Sequence, residues 1–243
     1  MDAPALRIFA CSKTHKKVLA LFQGFKPGSV LDLGAGEGAL SIRLQEMGFD
    51  VRAADLFPEQ FKVTQISCDP VDLNGAFPYP DGIFDYLCGV EVIEHLENHF
   101  GFIRECHRVL KPRGKLVLTT PNLLNLASRV RYLLTGFYPL VPRPINETTR
   151  SPVWDHIHPI TYYQLRYVLH TNGFRIQTLT TDRYRKSAMW WMGLYPLLAL
   201  WTRRTMRKEK DPAQRVVNIC IRQDMRSLAL LLGRTTIVVA GKV

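Results

Sequence analysis

A predicted strand that runs straight into a glycine-rich turn limits this chain to a small set of folds. The stretch SVLDLGAGEGAL, residues 29–40, is an apolar run that leads into Gly34, Gly36 and Gly38. Glycines between a strand and a helix let the backbone turn tightly and approach a nucleotide-type ligand closely. The stretch therefore predicts one βα unit of a parallel sheet, with Gly34, Ala35 and Gly36 against a ligand.

The alternation of strand and helix continues along most of the chain. The predicted strands are apolar throughout, which is typical of a parallel sheet covered on both faces. We expect a single α/β domain over residues 1–243, with an insert at about 183–234 before the last strand. The predicted strands are residues 29–34, 50–55, 62–69, 84–90, 115–122, 175–182 and 235–242, and the predicted helices are residues 12–26, 38–48, 99–114 and 161–174.

Acidic residues near the predicted strand ends indicate which ligand the glycine loop holds. Residues 34–39 almost fit the dinucleotide fingerprint GxGxxG/A, but the Asp32 carboxylate would repel a pyrophosphate. A ligand with a cationic sulfonium and an amino group would tolerate it. Asp55 ends the next strand, about 20 residues after the loop, where a carboxylate can accept both ribose hydroxyls of an adenosine. The alternative is that Asp55 caps the following helix at the surface.

The third predicted strand offers two candidates for adenine recognition. Asp69 or Asp72 would end beside the adenine ring, where a carboxylate can accept a hydrogen bond from the adenine amino group. Asp72, followed by Leu73, has the better spacing to the Phe84–Asp85 pair. Asp69 remains the alternative.

These stretches together resemble the class I S-adenosylmethionine-dependent methyltransferases. The resemblance covers roughly residues 28–182 and the last strand, through VLDLGAGEG, AADL, DLNGAFPYPDGIFDYL, EVIEHLEN, RECHRVLKPRGKLVLTTPN and TTIVVAGK. It implies a Rossmann-like seven-stranded sheet, mostly parallel with an antiparallel last strand, and helices on both faces. It also implies S-adenosylmethionine across the carboxyl ends of strands one to four. The residues implied to hold this cofactor are Asp32, Gly34, Ala35, Gly36, Asp55, Leu56, Asp72, Leu73 and Val90.

A narrower resemblance concerns the methyl acceptor. EVIEHLEN, TTPN with SRVRYLLTGFY, and DHIHPITYYQL resemble small methyltransferases of bacterial surface-glycan and lipid biosynthesis and the ubiquinone O-methyltransferase group. This implies O-methylation of a glycan, a lipid-linked intermediate or a small metabolite. Two other classes stay open: an RNA methyltransferase, favoured by the net charge of +11, and a non-catalytic relative that only binds the cofactor. Nucleic acid is disfavoured, because no RNA-binding module and no basic patch interleaved with aromatics occurs outside the insert.

Glu91-Val-Ile-Glu94-His95 follows the fourth predicted strand, where an acceptor would lie. If this stretch is helical, spacings of three and four place Glu91, Glu94 and His95 on one face. Two carboxylates and an imidazole there would suit a divalent cation. Similar E-x-x-E-H stretches are metal sites in ubiquinone-pathway O-methyltransferases and in small-RNA 3′-end methyltransferases. The alternatives are a metal-free general base at His95, with Glu91 as a further catalytic candidate, and a purely structural helix start.

Histidines in the long loop after the fifth strand are further catalytic candidates. In Trp154-Asp-His156-Ile-His158 the two imidazoles point to opposite sides of an extended chain, so that only one can face the site. His156 is the catalytic candidate, and a structural histidine is the alternative.

The insert contains the uncharged stretch AMWWMGLYPLLALWT, residues 188–202. It is shorter than the roughly 20 residues that cross a bilayer, but tryptophans beside basic residues suit a membrane interface with anionic headgroups. We expect peripheral contact with an anionic membrane through residues 188–207. The alternatives are a cap over the acceptor pocket and a dimer contact. The flanking arginines are Arg183, Arg185, Arg203, Arg204 and Arg207.

Cysteine usage and the amino-terminal sequence bear on location. The five cysteines are scattered without a CxxC pair, which indicates a reducing compartment. The first residues lack an apolar core of signal-peptide length. We therefore expect a cytoplasmic protein, peripheral at the inner face of the membrane.

Overall fold

The computed structural model describes residues 6–138 and 158–243. The described strands are β1 (Ser29–Leu33), β2 (Asp50–Asp55), β3 (Cys68–Pro70), β4 (Phe84–Val90), β5 (Leu110–Pro121), β6 (Phe174–Thr180) and β7 (Thr235–Lys242). The described helices are α1 (Ser12–Phe22), α2 (Ala39–Glu46), α3 (His99–Val109), α4 (Leu126–Thr135), α5 (Tyr162–Thr171), α6 (Lys186–Met189), α7 (Tyr195–Met206), α8 (Pro212–Met225) and α9 (Leu228–Leu232). Short 3-10 turns occupy Pro58–Gln60, Ile93–His95 and Trp190–Leu194.

The strands form one sheet in the order β3-β2-β1-β4-β5-β7-β6. Neighbours from β3 to β5 pair in parallel, whereas β7 runs antiparallel to both β5 and β6. The predicted Rossmann-like sheet, mostly parallel with an antiparallel last strand, is confirmed. Asp32 of β1 lies opposite Ala53 of β2 and Cys88 of β4, so these three strands end at the same edge. Ligands of open α/β sheets bind at that edge.

Helices cover both faces of the sheet because successive residues of a strand point to opposite sides. Leu31 of β1 packs with Phe102 of α3 and Leu165 of α5 on one face. On the other face Val30 packs with α1 and α2. Each buried aliphatic or aromatic side chain of this kind contributes about 1.5–3 kcal/mol to folding. The two apolar layers hold the strand ends rigidly in place.

The third strand is shorter than its sequence indicates. A strand was expected over residues 62–69, but only Cys68–Pro70 pairs with β2. The preceding chain crosses the glycine loop instead: a Cβ built on Gly38 would lie 2.7 Å from both Phe61 and Val63 side-chain atoms. Val63 and Ile66 are buried against α2 and its neighbours. Apolar burial here serves a loop crossing and not a sheet.

The insert between β6 and β7 consists of α6 to α9. It is attached to the domain by a small apolar cluster in which Leu126, Ala188, Leu231 and Leu232 are buried. In the part of the chain that the structure describes, none of the helices has the length and apolar character to cross a membrane.

Candidate active site

Two cavities lie side by side at the carboxyl edge of the sheet. The glycine-loop cavity, of about 310 Å³, is bounded by the loop after β1, the end of β2 and residues 71–74. The arginine cavity, of about 380 Å³, is bounded by the ends of β4 and β5, the start of β7, and Arg185 and Arg234. Phe9, Glu91 and His95 line both cavities. Two ligands could therefore meet at these three side chains.

The glycine loop requires glycine for two independent reasons. Gly34 and Gly36 have φ values of 71° and 54°, a left-handed conformation that costs about 1–2 kcal/mol for a residue with a Cβ. A Cβ on Gly34 would also lie 2.6 Å from Val92 Cγ2, and one on Gly36 would lie 2.9 Å from the Phe9 ring. Both glycines line the glycine-loop cavity. The bare backbone therefore forms part of the cavity wall.

Asp55 ends β2 directly beside the loop. Its Oδ2 accepts a hydrogen bond from the Gly36 N–H (2.8 Å), and its Oδ1 accepts one from the Phe57 N–H (2.9 Å). A carboxylate offers about four acceptor positions, so two remain. Asp55 and Leu56 line the glycine-loop cavity. The carboxylate thus positions the loop and can still accept the hydroxyls of a ribose.

The structure separates the two candidates for adenine recognition. Asp72 and Leu73 line the glycine-loop cavity, and Asp72 Oδ1 accepts a hydrogen bond from the Asn74 N–H (2.9 Å). Asp69 is occupied elsewhere, because it pairs with Arg52 and accepts a hydrogen bond from the Tyr79 hydroxyl (2.8 Å). The geometry favours Asp72.

Three other predicted cofactor residues lie off this wall. Asp32 is 2% exposed and lines neither cavity; the Ser41 hydroxyl of α2 donates to its Oδ2 at 2.6 Å. Burial raises the pKa of Asp32 to about 6. Ala35 packs into the apolar layer beneath the loop, and Val90 lines the arginine cavity. Asp32 therefore ties β1 to α2, and its direct contact with a ligand stays a prediction.

Glu91 stands between the two cavities. It follows β4 with a φ of 55°, which is uncommon for a residue other than glycine and is a form of strain that clusters at functional sites. Thr119 of β5 holds it there: the Glu91 N–H donates to Thr119 Oγ1 (3.0 Å), and the Thr119 hydroxyl donates to Glu91 Oε1 (2.9 Å). Burial raises the pKa of Glu91 to about 7, although the Thr119 hydrogen bond acts in the opposite direction. At neutral pH this carboxyl group can both take up and release a proton.

The predicted helical face of Glu91, Glu94 and His95 does not form. The chain makes only the 3-10 turn Ile93–His95, and Glu91 precedes that turn in a left-handed conformation. Glu94 is completely buried, and burial together with the charge of Glu91 raises its pKa well above the ordinary value. Within residues 6–138 and 158–243, no three His, Cys, Asp or Glu side chains are grouped as a metal site. The prediction of a shared face is wrong, and these residues do not fit a divalent cation.

The histidine candidates have different outcomes. His95 lines both cavities. His156 lies outside the described residues. His158 lines neither cavity. Its ring packs edge-to-face against the His99 ring, with the ring centroids 6.1 Å apart. Its backbone N–H donates a hydrogen bond to the Glu94 carbonyl (3.2 Å). Glu91 and His95 are therefore the predicted catalytic residues that the structure places between the cavities.

The arginine cavity is lined largely by residues that the sequence did not single out. Arg185 was expected to belong to the basic flank of a membrane contact, but it lines this cavity with Arg234. Asn122, at the end of β5, holds the opposite segment: its Nδ2 donates to the carbonyls of Leu230 and Gly233 at 2.9 Å each. No sequence signal joins Arg185 to Arg234, because the two residues lie at opposite ends of the insert and meet only through an antiparallel bridge.

A family profile described as "Methyltransferase domain" matches residues 7–179. The chain belongs to this methyltransferase family. It is 38% identical over 130 residues to a ubiquinone biosynthesis O-methyltransferase of Xanthomonas oryzae. The aligned region covers 50% of this chain and 54% of that protein. It is 36% identical over 114 residues to the mitochondrial ubiquinone biosynthesis O-methyltransferase of Schizosaccharomyces pombe, covering 42% and 41%. The match thus spans about half the length of these relatives or less.

Solved structures of methyltransferases share the fold. An S-adenosylmethionine-dependent methyltransferase from Mesorhizobium loti superposes with a TM-score of 0.57 at 16% identity, covering 95% of this chain and 98% of that one. A methyltransferase from Archaeoglobus fulgidus superposes with a TM-score of 0.56 at 17% identity, covering 94% of each chain. At such identities the likeness concerns the fold alone.

The methyltransferase cofactor, S-adenosylmethionine, fits the glycine-loop cavity. The backbone at Gly34 and Gly36 leaves no room for a Cβ, and Asp55 and Asp72 line the same cavity with acceptor oxygens for a ribose and an adenine. Six of the nine residues implied by the resemblance line this cavity: Gly34, Gly36, Asp55, Leu56, Asp72 and Leu73.

Proposed function

We propose that this methyltransferase transfers a methyl group from S-adenosylmethionine to a hydroxyl group of an acceptor bound in the arginine cavity. The observation that carries this proposal is the position of Glu91. Glu91 lines both cavities, and the pKa of its carboxyl group is raised to about 7 by burial. A general base is most effective when its pKa lies near the working pH.

The cofactor supplies a methyl group already activated on a sulfonium, so the residues of this chain have two tasks. The first is alignment, because an in-line displacement gains several kcal/mol from correct positioning. The shared wall of Phe9, Glu91 and His95 brings the two cavities to the same point. The second is removal of the hydroxyl proton. Glu91 is the base in this proposal, and Thr119 holds its Oε1 in place (2.9 Å).

The names of the relatives support an oxygen acceptor, since both are ubiquinone biosynthesis O-methyltransferases. Acceptor classes that fit the proposal are a glycan, a lipid-linked intermediate and a small metabolite. A cavity of about 380 Å³ has the size of an ordinary small-molecule site, so the methylated part of the acceptor is small.

The test is transfer of a labelled methyl group from S-adenosylmethionine into a fractionated bacterial extract. Label in the lipid, polysaccharide or small-molecule fraction supports the proposal, and label in RNA contradicts it. Glu91→Gln should lower the transfer rate by about 100-fold or more, which is the usual contribution of a general base. The matched control is Glu46→Gln, at an exposed position of α2, which should keep the full rate.

The pH dependence provides a second readout. Because the base acts in its deprotonated form, the rate should rise with pH through about 7 and level off above it. A rate that is independent of pH between 5.5 and 8.5, or full activity of Glu91→Gln, would contradict the role of Glu91.

We also propose that residues 188–207 contact an anionic membrane surface, with the protein on the cytoplasmic side. Trp190 is 87% exposed, and Leu200 and Trp201 are 63% and 59% exposed. Leu197, Leu200 and Trp201 have the spacing of one helical face on α7, while the other side of α7 packs on the domain through Leu198.

Charge supports a membrane as the occupant of this surface. The apolar face of α7 leads into Arg203, Arg204 and Arg207, all exposed. Basic residues near an anionic bilayer contribute about 1 kcal/mol each, and tryptophans favour the headgroup region. A lipid-linked acceptor embedded in the membrane would then lie close to the enzyme bound at the membrane surface.

Vesicle flotation tests this contact. The protein should float with vesicles containing phosphatidylglycerol and stay behind with pure phosphatidylcholine, and Trp201→Ala should reduce flotation. Tyr167→Ala, at a 56% exposed tyrosine on α5, is the matched control. A concentration-dependent dimer that Trp201→Ala dissociates, without flotation, would assign this surface to a second copy instead.

A further inference from the structure

The charged wall of the arginine cavity is built by pairing two distant segments. Tyr184 and Gly233 form an antiparallel bridge. The backbone N–H of Arg185 donates to the Leu232 carbonyl (2.7 Å), and the backbone N–H of Arg234 donates to the Arg183 carbonyl (2.9 Å). Residues on either side of a bridge position share one face, and directly opposed residues do so as well. Three arginines, Arg183, Arg185 and Arg234, are therefore concentrated on a single face.

One of the three arginines is already neutralised. Arg183 pairs with Asp182 (2.8 Å) and donates a hydrogen bond to Cys11 Sγ (2.6 Å). Arg185 and Arg234 line the cavity, and among residues 6–138 and 158–243 no carboxylate lies within ion-pair distance of either guanidinium. Two cations thus face the cavity without an anionic partner from the described chain.

The acidic residue on this wall does not balance the two cations. Among the described residues, Glu91 is the acidic one that lines this cavity, and its raised pKa of about 7 leaves it only partly charged at neutral pH. Burial and the charges of Arg234, Arg131 and Arg183 lower the pKa of Arg185. The arginines therefore repel one another, and an anion placed among them would relieve that repulsion.

Neutral polar side chains complete the lining. Asn122, Ser128 and Thr235 border the same cavity as the two arginines. Guanidinium groups bind the oxygens of carboxylates and phosphates in a two-pronged geometry. Because the two arginines and Glu91 line one cavity, it suits a ligand that carries both an oxyanion and a hydroxyl group.

We propose that Arg185 and Arg234 form a subsite for an oxyanion, a phosphate or a carboxylate, that the methyl acceptor carries. This inference rests on the proposed function, since it assigns the acceptor to the arginine cavity. The subsite holds the charged end of the acceptor and so presents its hydroxyl group to Glu91. Acceptors without a negative charge are then poor substrates.

Probe binding tests the subsite without knowledge of the natural acceptor. The full chain, saturated with S-adenosylhomocysteine in phosphate-free buffer, is titrated by calorimetry with inorganic phosphate, 3,4-dihydroxybenzoate and 1,2-dihydroxybenzene. The last compound has the ring of the second without its charge. We expect phosphate or the benzoate to bind at least tenfold more tightly than the neutral ring, and the tighter of the two identifies the oxyanion.

Variants assign the binding to the two arginines. Arg185→Gln and Arg234→Gln should each weaken binding of the preferred probe by about tenfold or more, because charge-assisted hydrogen bonds are the strong class. Arg104→Gln, at an exposed position of α3, removes the same charge outside the cavity and should bind like the wild type. Arg185→Lys keeps the charge but loses the two-pronged geometry, so it should weaken binding even if Arg185→Gln does not fold.

The results that overturn the inference are distinct from those that overturn the proposed function. Absence of oxyanion binding, equal binding of the neutral ring, or equal weakening in Arg104→Gln would each refute the subsite. Equal methyl transfer by the wild type and by the Arg185→Gln, Arg234→Gln double variant would also refute it and leave the function intact. Oxyanion binding through both arginines in a protein that transfers no methyl group would refute the function and leave the subsite.

Discussion

Asp32 gives a prediction whose magnitude follows from burial. Its carboxylate is 2% exposed, and burial raises its pKa from 3.8 to about 6. This shift of about 2 units, at about 1.4 kcal/mol per unit, amounts to roughly 3 kcal/mol. Because the folded pKa is raised, the stabilisation is fully present below pH 3.8 and is lost as the pH rises through about 6.

Asp32→Asn removes this titration and keeps a side-chain oxygen that can accept the Ser41 hydroxyl. The difference in free energy of unfolding between variant and wild type should therefore shift in favour of the variant by up to about 3 kcal/mol from pH 4 to pH 8. Any cost of the buried amide group is independent of pH and leaves this trend unchanged. The measurement is urea unfolding at half-unit steps of pH.

The matched control is Asp50→Asn, at an exposed position of β2, for which the pH-dependent gain should be absent. The reasoning is refuted if the difference between Asp32→Asn and wild type is constant with pH, or if it shifts in favour of the wild type as the pH rises.

Four further variants probe the site and its surroundings. Gly36→Ala should weaken binding of S-adenosylhomocysteine by about tenfold or more in calorimetry. The backbone at Gly36 is left-handed, which disfavours any residue with a Cβ, and that Cβ would lie 2.9 Å from the Phe9 ring. Thr119→Val removes the hydrogen bond that lowers the pKa of Glu91, so the pH–rate profile should move to higher pH. Asp72→Ala should weaken cofactor binding with little change in stability, whereas Asp69→Ala should lower the urea midpoint and leave cofactor affinity unchanged.

The glycine and threonine variants each have an outcome that would contradict the reasoning. Gly48 also has a positive φ, of 88°, but no atom lies within 4 Å of its Cβ position, so Gly48→Ala should cost stability and not cofactor affinity. Equal loss of affinity in both glycine variants would remove the argument from the cavity wall. An unchanged pH profile in Thr119→Val would show that its hydroxyl does not tune the base.

The glycine-loop cavity could be predicted from sequence because its parts are close together in the chain. A strand, a glycine turn, a helix and an acid at the end of the next strand follow one another between residues 29 and 55. Parallel pairing then brings the strand ends to one edge. The choice between Asp69 and Asp72 stayed open, because the Arg52 and Tyr79 partners of Asp69 could not be read from spacing.

The acceptor side could not be predicted in the same way because long-range contacts determine it. Helical spacing placed Glu91 with Glu94 and His95, but hydrogen bonds to Thr119, 28 residues away, accompany a left-handed turn there. The grouping of Arg185 and Arg234 depends on an antiparallel bridge between the two ends of the insert. Local sequence patterns carry no record of such pairings.

The origin of the two cavities in the chain has a consequence for the order of events during synthesis. Apart from Phe9, the glycine-loop cavity is built from residues 34–97, whereas the arginine cavity needs residues from Phe9 to Thr235. Contacts that are local in the chain form before distant ones, and domains fold while translation proceeds. A nascent chain can therefore shape its cofactor half while the insert is still being made. The arginine cavity can form only after β7 has emerged and entered the sheet between β5 and β6.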